Sequence, residues 1–419
     1  MNVVGLITEY NPFHNGHRLH LQTAVEATGA DAVVVVMSGN FLQRGEPALF
    51  NKWARTEMAL CGGADVVIEL PAAFATRSAR QFAAGAVRIL DATGIVGHIC
   101  FGSESGDITP LQRLAAILRE EPVELKSLIK KHLQTGVTYP VAESRALEEY
   151  CNSSVTGIQK SDLELLNRPN NILGIEYIRA LDEIDSLVTP ITISRVAAGY
   201  HDLDFTSTGI ASATSVRKAL EKTDRITDDI CGVVPLDTVN IMTGEINCGR
   251  GPVFPDQIMP LLLYRLRTCS PSMLMDILDI GEGLQHRICR AARNPGSHRE
   301  LVEAIKTKRY TWTRIQRALL YIMLGFSKEM AALFDASGPE YIRVLGVSGK
   351  GRTLVRRMKK TAKLPVISLV SPMIKNATGS AEKMLHLDIL ATDLYTLLYP
   401  QVAQRQAGLD CKVMPVMQD

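Results

Sequence analysis

The chain has 419 residues, of which 46% are hydrophobic, and a formal net charge of only +2. This length accommodates two or three domains. No segment approaches the roughly 18 uninterrupted apolar residues of a membrane span, and Met1 leads directly into an apolar run without a secretion signal. We therefore expect a cytosolic globular protein rather than a membrane or secreted one.

In chain order, apolar β-branched runs alternate with helical patterns throughout the first half. The runs predict strands that start at residues 3, 32, 65, 98 and 189, and the patterns between them predict helices near 16–28, 51–62, 77–92 and 171–184. Continuously hydrophobic strands separated by helices are typical of a parallel sheet covered on both faces. We therefore predict an α/β fold with a doubly wound parallel sheet.

Residues 107–150 interrupt this alternation with an amphipathic pattern, which predicts a helical insertion. Beyond residue 225 the patterns become mainly helical, as in IMPLLLYRLR, PSMLMDILDI, RIQRALLYIMLGF and MLHLDILATDLYTLLY, apart from an extended YIRVLGV at 341. We expect a catalytic domain over residues 1–225 and a mainly α-helical, basic region over residues 226–419.

The charge distribution and the cysteine content indicate which classes of ligand to expect. Residues 221–419 carry 27 Lys and Arg against 20 Asp and Glu, whereas residues 1–220 carry 19 against 24. A basic half joined to an acidic half predicts a polyanionic partner for the basic half. The eight cysteines form no C-x-x-C pair or Cys/His cluster, so we expect buried thiols and no protein-held metal.

The segment ITEYNPFHNGH (residues 7–17) places two histidines at a strand-to-helix crossover. MSGN and FGSES fall at other predicted strand ends, where ligands of doubly wound sheets bind. The helix start favours an anion, and the imidazoles of His14 and His17 can neutralise charge that develops when the α-phosphate of ATP is attacked. Gly16 would let the nucleotide approach the backbone. Alternatively, the histidines only pack a turn.

A second hydroxyl-rich helix start, ASATSVRK, lies late in the first half. Ser212 and Thr214 fall in its first turn, and Arg217 lies just inside the helix. On its own this pattern indicates a helix cap. Together with H-x-G-H it indicates a second group of phosphate ligands.

This pairing resembles the nucleotidyltransferase superfamily of Rossmann-like adenylyltransferases. More closely, the chain is similar to the bacterial tRNA(Met) cytidine acetate ligase family. The motifs that carry this resemblance are GLITEYNPFHNGH, VVVMSGNFLQRGEPA, GADVVIELP, ICFGSES, RPNNILGIEYIRAL, AAGYHD, ASATSVRKAL and YIRVLGVSGKGRTL.

The resemblance implies that ATP and acetate form acetyl-adenylate, and that the acetyl group then passes to the N4 amine of the wobble cytidine of elongator tRNA(Met). Mg²⁺ is expected with ATP; acetyl-CoA and DNA are not expected. By motif, His14, His17 and Arg217 would be catalytic. The implied ATP-binding residues are Ile7, Thr8, Glu9, Tyr10, Asn11, Pro12, Phe13, Asn15, Gly16, Arg18, Leu19, His20, Gly102, Asn170 or Asn171, Arg195, Ser212 and Thr214.

Several of these residues have a purely structural alternative. Gly102 fits a turn at a strand end, the two asparagines fit a helix cap, and Arg195 fits a surface salt bridge. MSGNFLQRGEP and the residues after it supply four further charged side chains near the acetate or the incoming tRNA base, or alternatively on a surface loop. These are Arg44, Glu46, Lys52 and Arg55.

RNA binding would fall to the basic half. Residues 341–375 contain nine Lys or Arg and no acid, and residues 306–317 interleave cations with Tyr310 and Trp312. Basic side chains contact phosphates and aromatic rings stack on unpaired bases, although a charge run also fits a solvated face. The predicted tRNA-binding residues are Lys306, Lys308, Arg309, Arg352, Arg356, Arg357, Lys359 and Lys360.

Two rival functions use the same residues. The first is a small-molecule adenylyltransferase that acts on a coenzyme precursor, which would leave the basic helical half without a purpose. The second is an RNA-binding protein with a non-catalytic nucleotide pocket, against which the intact His14, His17 and Arg217 argue.

Overall fold

A computed structural model describes residues 1–153, 159–195, 209–223 and 225–419. The AAGYHD motif, at 197–202, lies outside the described residues. Eight strands in the described part form one sheet. They are β1 (Val3–Thr8), β2 (Ala32–Ser38), β3 (Val66–Leu70), β4 (His98–Ser103), β5 (Thr189–Ser194), β6 (Ile342–Val347), β7 (Val366–Ile367) and β8 (Val416–Met417).

The strand order is β5-β4-β1-β2-β3-β6-β7, with β8 also pairing with β6. Strands β1 to β5 are parallel. Because β1 lies between β2 and β4, the order of the strands reverses there, and a ligand crevice forms at the carboxyl ends of such strands. The predicted doubly wound parallel sheet is confirmed.

Both faces of the sheet are covered. Every residue of β2 is buried, and its side chains alternate between two hydrophobic cores. Val34 and Val36 contact the larger core, whereas Val33 and Val35 contact the smaller one. The continuous apolar runs of the sequence therefore reflect burial on both faces.

Ten α-helices precede residue 225 in the described part of the chain. Helices near 108–164 form the predicted insertion, which is longer than expected. The helices are α1 (Asn15–Thr28), α2 (Lys52–Cys61), α3 (Ala72–Ala75), α4 (Ala79–Ala92), α5 (Ile108–Glu120), α6 (Val123–Leu133), α7 (Tyr139–Ser153), α8 (Lys160–Glu164), α9 (Pro169–Glu183) and α10 (Ala213–Thr223).

The second half is mainly helical, as predicted. In PSMLMDILDI, however, the helix ends after four residues, so this helical prediction is wrong for 275–280. The helices are α11 (Asp228–Val233), α12 (Leu236–Asn247), α13 (Met259–Thr268), α14 (Pro271–Leu274), α15 (Leu284–Ala291), α16 (His298–Ile305), α17 (Trp312–Leu324), α18 (Lys328–Ser337), α19 (Gly349–Thr361), α20 (Val370–Ile374), α21 (Gly379–Thr396) and α22 (Leu409–Lys412).

The second half also completes the sheet. β6 pairs antiparallel with β3, so one sheet spans the expected domain boundary near residue 225. Division into two domains stays a prediction. The buried-thiol expectation is wrong for most cysteines: Cys100 is buried, Cys231 and Cys248 are exposed, and the rest are partly exposed.

Candidate active site

Two stacked histidines lie at the crossover from β1 to α1. The ring centroids of His14 and His17 are 3.7 Å apart, and the His14 backbone N–H donates to Nδ1 of His17 at 3.3 Å. The ring of Tyr10 packs edge-on against His17 at 4.9 Å, and Phe13 packs against Tyr10 at 4.8 Å. Buried aromatic rings therefore fix the position of His17.

Burial keeps these histidines neutral. Desolvation, followed by the charges of Arg195 and Arg217, lowers the pKa of His14 from 6.5 to about 3. Desolvation and His14 lower the pKa of His17 well below its ordinary value, and desolvation and Arg195 lower that of His20 to about 4. Nδ1 of buried His14 has no hydrogen-bond partner among the described residues. An electropositive pocket with an unsatisfied imidazole favours an incoming anion.

The glycine of H-x-G-H is required by this packing. A Cβ added to Gly16 would lie 2.9 Å from Cε1 and 3.0 Å from Nδ1 of His14. The glycine therefore makes room for the imidazole of His14, an observation that the sequence did not predict. The predicted approach of a nucleotide to this backbone stays a prediction.

Arg217 joins α10 to the crossover. Its Nη1 donates to the Asn11 carbonyl oxygen at 2.9 Å, and its Nη2 donates to Oγ1 of Thr214 at 3.2 Å. Desolvation lowers the pKa of Arg217, and the nearby carboxylates of Glu46 and Glu9 oppose that shift. Two segments about 200 residues apart therefore meet at one guanidinium, as the pairing of the motifs predicted.

Ser212 caps the start of α10. Its Oγ accepts from the Ser215 N–H at 3.1 Å and lies 2.8 Å from the Ser215 hydroxyl. The capping alternative is therefore observed for Ser212, and a phosphate contact by the same hydroxyl stays a prediction. Asn15, at the start of α1, donates to the carbonyl of Gly209 at 3.0 Å, which brings the residues before α10 against the crossover.

Gly102, at the end of β4, lies beside Arg195 and His20. A Cβ at Gly102 would lie 2.9 Å from Cγ of Arg195 and 3.6 Å from Cδ2 of His20. Nη1 of Arg195 donates to Oδ1 of Asn170 at 3.2 Å. The ends of β1, β4 and β5 therefore converge, as the strand order requires.

Glu104 is a member of this group that sequence reasoning missed. Its carboxylate accepts from the Asn170 side chain at 2.7 Å and from the Asn171 N–H at 2.9 Å, at the N-terminus of α9. The buried side chain of Asn171 in turn accepts from the Glu104 N–H at 2.9 Å, and its Nδ2 has no described partner. A carboxylate already occupies this helix end, and the acid in FGSES was the available signal.

The other predicted ATP-binding residues differ in exposure. Tyr10, Asn11, Pro12 and Phe13 are buried, and Ile7, Thr8 and Glu9 lie at or just after the end of β1. Oδ1 of Asn11 accepts from the Leu49 N–H at 2.7 Å, which fixes the loop after β2. Arg18 and Leu19 are exposed on α1.

Two residues predicted near the substrates are buried structural groups instead, and that expectation is wrong for both. Lys52 is fully buried, with its Nζ 2.7 Å from Glu69 Oε1 and 2.7 Å from Asp410 Oδ1. Arg55 is also fully buried and donates only to backbone carbonyls in the bonds that the structure shows. These acceptors are Phe50 at 3.0 Å, Glu9 at 2.6 Å, Ser38 at 3.0 Å and Gly39.

The Arg55 guanidinium therefore ties the residue after β1 to the end of β2 and the start of α2. Glu9 also accepts from the Gln43 N–H at 2.9 Å, and Glu46 accepts from the Gln316 side chain at 2.8 Å. The loop after β2 is therefore hydrogen-bonded to the residue after β1 and also to α17. A lone arginine in a polar sequence gave no signal of this role.

The expectation that Tyr310 stacks on a base is wrong, and one of the nine cations of 341–375 is buried. Tyr310 is buried and donates to the Gly281 carbonyl, with Arg314 over its ring at 5.1 Å, so it does not present a free face to a base. Arg343 is buried between Glu69 and Asp410. The remaining eight Lys and Arg residues of 341–375 are exposed, as are Lys306, Lys308 and Arg309.

The described residues hold no group of three His, Cys, Asp or Glu side chains arranged for a metal ion. Among the same residues, every helix is too short or too polar to cross a bilayer.

Comparison with known proteins identifies close relatives along the full length. The HIGH Nucleotidyl Transferase family profile matches residues 1–410. A protein of Acetivibrio thermocellus named tRNA(Met) cytidine acetate ligase is 45% identical over 97% of this chain and 98% of its own length. A protein of the same name from Syntrophomonas wolfei is 43% identical over 99% of each chain.

Solved structures agree with these relatives. The crystal structure of Thermotoga maritima TmcAL bound with α-thio ATP superimposes with a TM-score of 0.93 at 38% identity, and covers 100% of both chains. The apo form of that protein gives a TM-score of 0.94 at 39% identity.

Proposed function

Since the chain belongs to the tRNA(Met) cytidine acetate ligase family of HIGH nucleotidyl transferases, we propose that it activates acetate with ATP and acetylates a cytidine of tRNA(Met). The acceptor is the N4 amine of the wobble cytidine of elongator tRNA(Met), and the reaction takes place in the cytoplasm. DNA is not a substrate.

In the first step, an acetate oxygen attacks the α-phosphorus of ATP and pyrophosphate leaves. ATP lies at the carboxyl ends of β1, β4 and β5, with its phosphates against His14, His17 and Arg217. Negative charge develops on the phosphoryl oxygens and the leaving pyrophosphate, and preorganised N–H donors stabilise it. The unsatisfied imidazole of His14 beside two arginines is the observation that carries this assignment.

In the second step, the cytidine N4 attacks the carbonyl carbon of acetyl-adenylate. The bond from that carbon to the AMP oxygen breaks, and the amine loses a proton to solvent or to a neighbouring base. Arg44 and Glu46 lie in the loop that Arg55 fixes. Their charges act on the pKa of Arg217 in opposite directions, so we place both beside the site where the cytidine arrives.

Mg²⁺ is proposed to arrive with ATP. The described residues do not form a protein cage for it, and Mg²⁺ commonly binds substrate phosphates and keeps several waters. It would screen the phosphate charge that the histidines and arginines also neutralise.

The experiment is incubation of the pure protein with ATP, Mg²⁺, labelled acetate and total tRNA, followed by nucleoside analysis. Labelled acetylcytidine confined to tRNA(Met) is the expected product. A labelled acyl-adenylate without an RNA product would retain the activation step and favour a small-molecule acceptor. Labelling from acetyl-CoA in the absence of ATP would refute the ligase reaction.

A further inference from the structure

The two basic segments lie at opposite edges of the sheet. The 306–317 segment is near the carboxyl edge, because Gln316 bonds to Glu46 in the loop after β2, and the backbone at Arg317 lies against Gly45. Lys306, Lys308 and Arg309 come just before α17 and are exposed. This segment and the histidine pair therefore share one edge of the molecule.

Helix α19 crosses the amino edge instead. Four hydrogen bonds of α19 and its N-cap Ser348 go to residues just before β1, β2 and β3, or between α4 and β4. These contacts are Arg357 Nη1 to Met1 O (3.5 Å), Lys350 Nζ to Asp31 O (2.7 Å), Ser348 Oγ to Asp65 Oδ1 (2.8 Å) and Thr361 Oγ1 to Thr93 O (3.1 Å). The six residues of β1 at about 3.3 Å each separate the two edges by about 20 Å.

The outward face of α19 is strongly cationic. Gly351, Leu354 and Met358 are buried, so the helix rests on an apolar stripe. The helix carries six Lys and Arg and no acid. Arg352 pairs with Asp419 at 2.6 Å, whereas Arg356, Lys359 and Lys360 form no ion pair with a described residue.

These three cations form a compact patch. Positions 356, 359 and 360 are neighbours on a helix surface, and all three are exposed. A surface that only kept the protein in solution would be expected to mix both signs of charge. A one-sign patch with free guanidinium and ammonium groups fits a sugar-phosphate backbone.

We propose that the Arg356, Lys359 and Lys360 patch binds the backbone of the tRNA outside the anticodon arm. This inference rests on the proposed function, because the wobble base must enter the pocket at the carboxyl edge. Phosphates next to that base then lie at the 306–309 segment. The patch on the amino edge contacts RNA that extends past the arm, so the enzyme holds the tRNA at two separated places.

The test compares two RNAs with two enzyme variants. The RNAs are a full tRNA(Met) transcript and its isolated anticodon arm. The patch variant carries Arg356→Gln, Lys359→Gln and Lys360→Gln. The control variant carries Lys126→Gln, Lys130→Gln and Lys131→Gln on α6, which removes the same charge from another exposed helix face.

Binding is measured by fluorescence anisotropy over a range of salt concentrations. The patch variant is expected to bind the full transcript at least tenfold more weakly than the control variant, with the slope of log K against log salt reduced by about 2 to 3. Its affinity for the arm should equal that of the control. If the wild-type enzyme binds only the full transcript and not the arm, weaker binding of the full transcript by the patch variant still supports a contact outside the arm.

Equal weakening for both RNAs would overturn the inference, because the patch would then touch the arm itself. Affinity equal to that of the control for both RNAs would show that the patch is a solvated face. Acetylation of the full transcript by the wild-type enzyme is measured in parallel, so a failure of the proposed function is seen separately.

Discussion

The imidazole rings of His14 and His17 lie face to face, with centroids 3.7 Å apart and planes inclined by 24°. Two protonated rings at this distance would repel each other strongly, so the pair is stable only while it is largely neutral. The phosphates of ATP would change that balance, because an anion favours the charged form of a neighbouring imidazole.

The pH dependence of stability follows from His14. Its folded pKa is about 3 and its ordinary value 6.5, so the unfolded chain binds more protons between these values. Stability is therefore fully present above pH 6.5 and falls as the pH decreases, by about 1.4 kcal/mol per pH unit for this one residue. Urea unfolding at pH 7, 6 and 5 should show a smaller decrease for His14→Gln than for wild type. His386→Gln, which removes an exposed imidazole outside the site, serves as the control substitution.

Proton uptake on ATP binding is a second expectation. The approach of the triphosphate raises the depressed pKa values of His14 and His20, so binding should take up more protons as the pH is lowered from 7 toward 5. Calorimetry in two buffers of different ionisation enthalpy measures this directly. Equal heats in the two buffers would mean that the imidazoles stay neutral and act only as hydrogen-bonding groups.

Gly16→Ala should impair activation without unfolding the protein. The new Cβ would lie 2.9 Å from the His14 ring and displace it, and misplacement by about 1 Å can cost about 10²-fold in rate. Acetate-dependent ATP–pyrophosphate exchange measures the loss, and circular dichroism checks the fold. Gly244→Ala, on α12 with no heavy atom within 4 Å of the added Cβ, is the matched control and should retain full exchange.

Arg217 should contribute through geometry as well as charge. Arg217→Ala is expected to reduce kcat/KM for the exchange reaction by roughly 10²–10³-fold, as removal of a transition-state donor does. Arg217→Lys keeps a positive charge but cannot hold both Asn11 and Thr214, so it should restore only part of that loss. Full restoration by lysine would show that the bridge is dispensable.

Asp410→Ala should destabilise the whole chain. It leaves buried Lys52 and Arg343 to share Glu69 alone, and loss of one partner of a buried ion pair costs about 3–5 kcal/mol. Denaturant unfolding monitored in both halves should show one shifted transition, because this network joins β3, β6 and α22. Asp419→Ala removes an exposed partner of Arg352 and should change stability little. A normal midpoint for Asp410→Ala would contradict a stabilising network.

The sequence by itself determined the elements that local periodicity encodes. The apolar runs gave β1 to β5, and the H-x-G-H motif between β1 and α1 located the histidine pair. The pairing of H-x-G-H with the ASATSVRK helix start predicted Arg217 beside that pair, and the family resemblance implied Arg195 in the same pocket.

Tertiary structure alone decided which distant charges pair and which edge each segment occupies. Lys52 and Arg55 resemble exposed loop cations in sequence, yet both are buried. Lys52 lies against Glu69 and against Asp410, which is more than 300 residues away, and Arg55 lies against backbone carbonyls. Likewise, nothing in its composition places α19 opposite the histidine pair. Pairing between distant residues depends on chain crossings and burial, whereas helical and strand patterns report only on neighbours within a few residues.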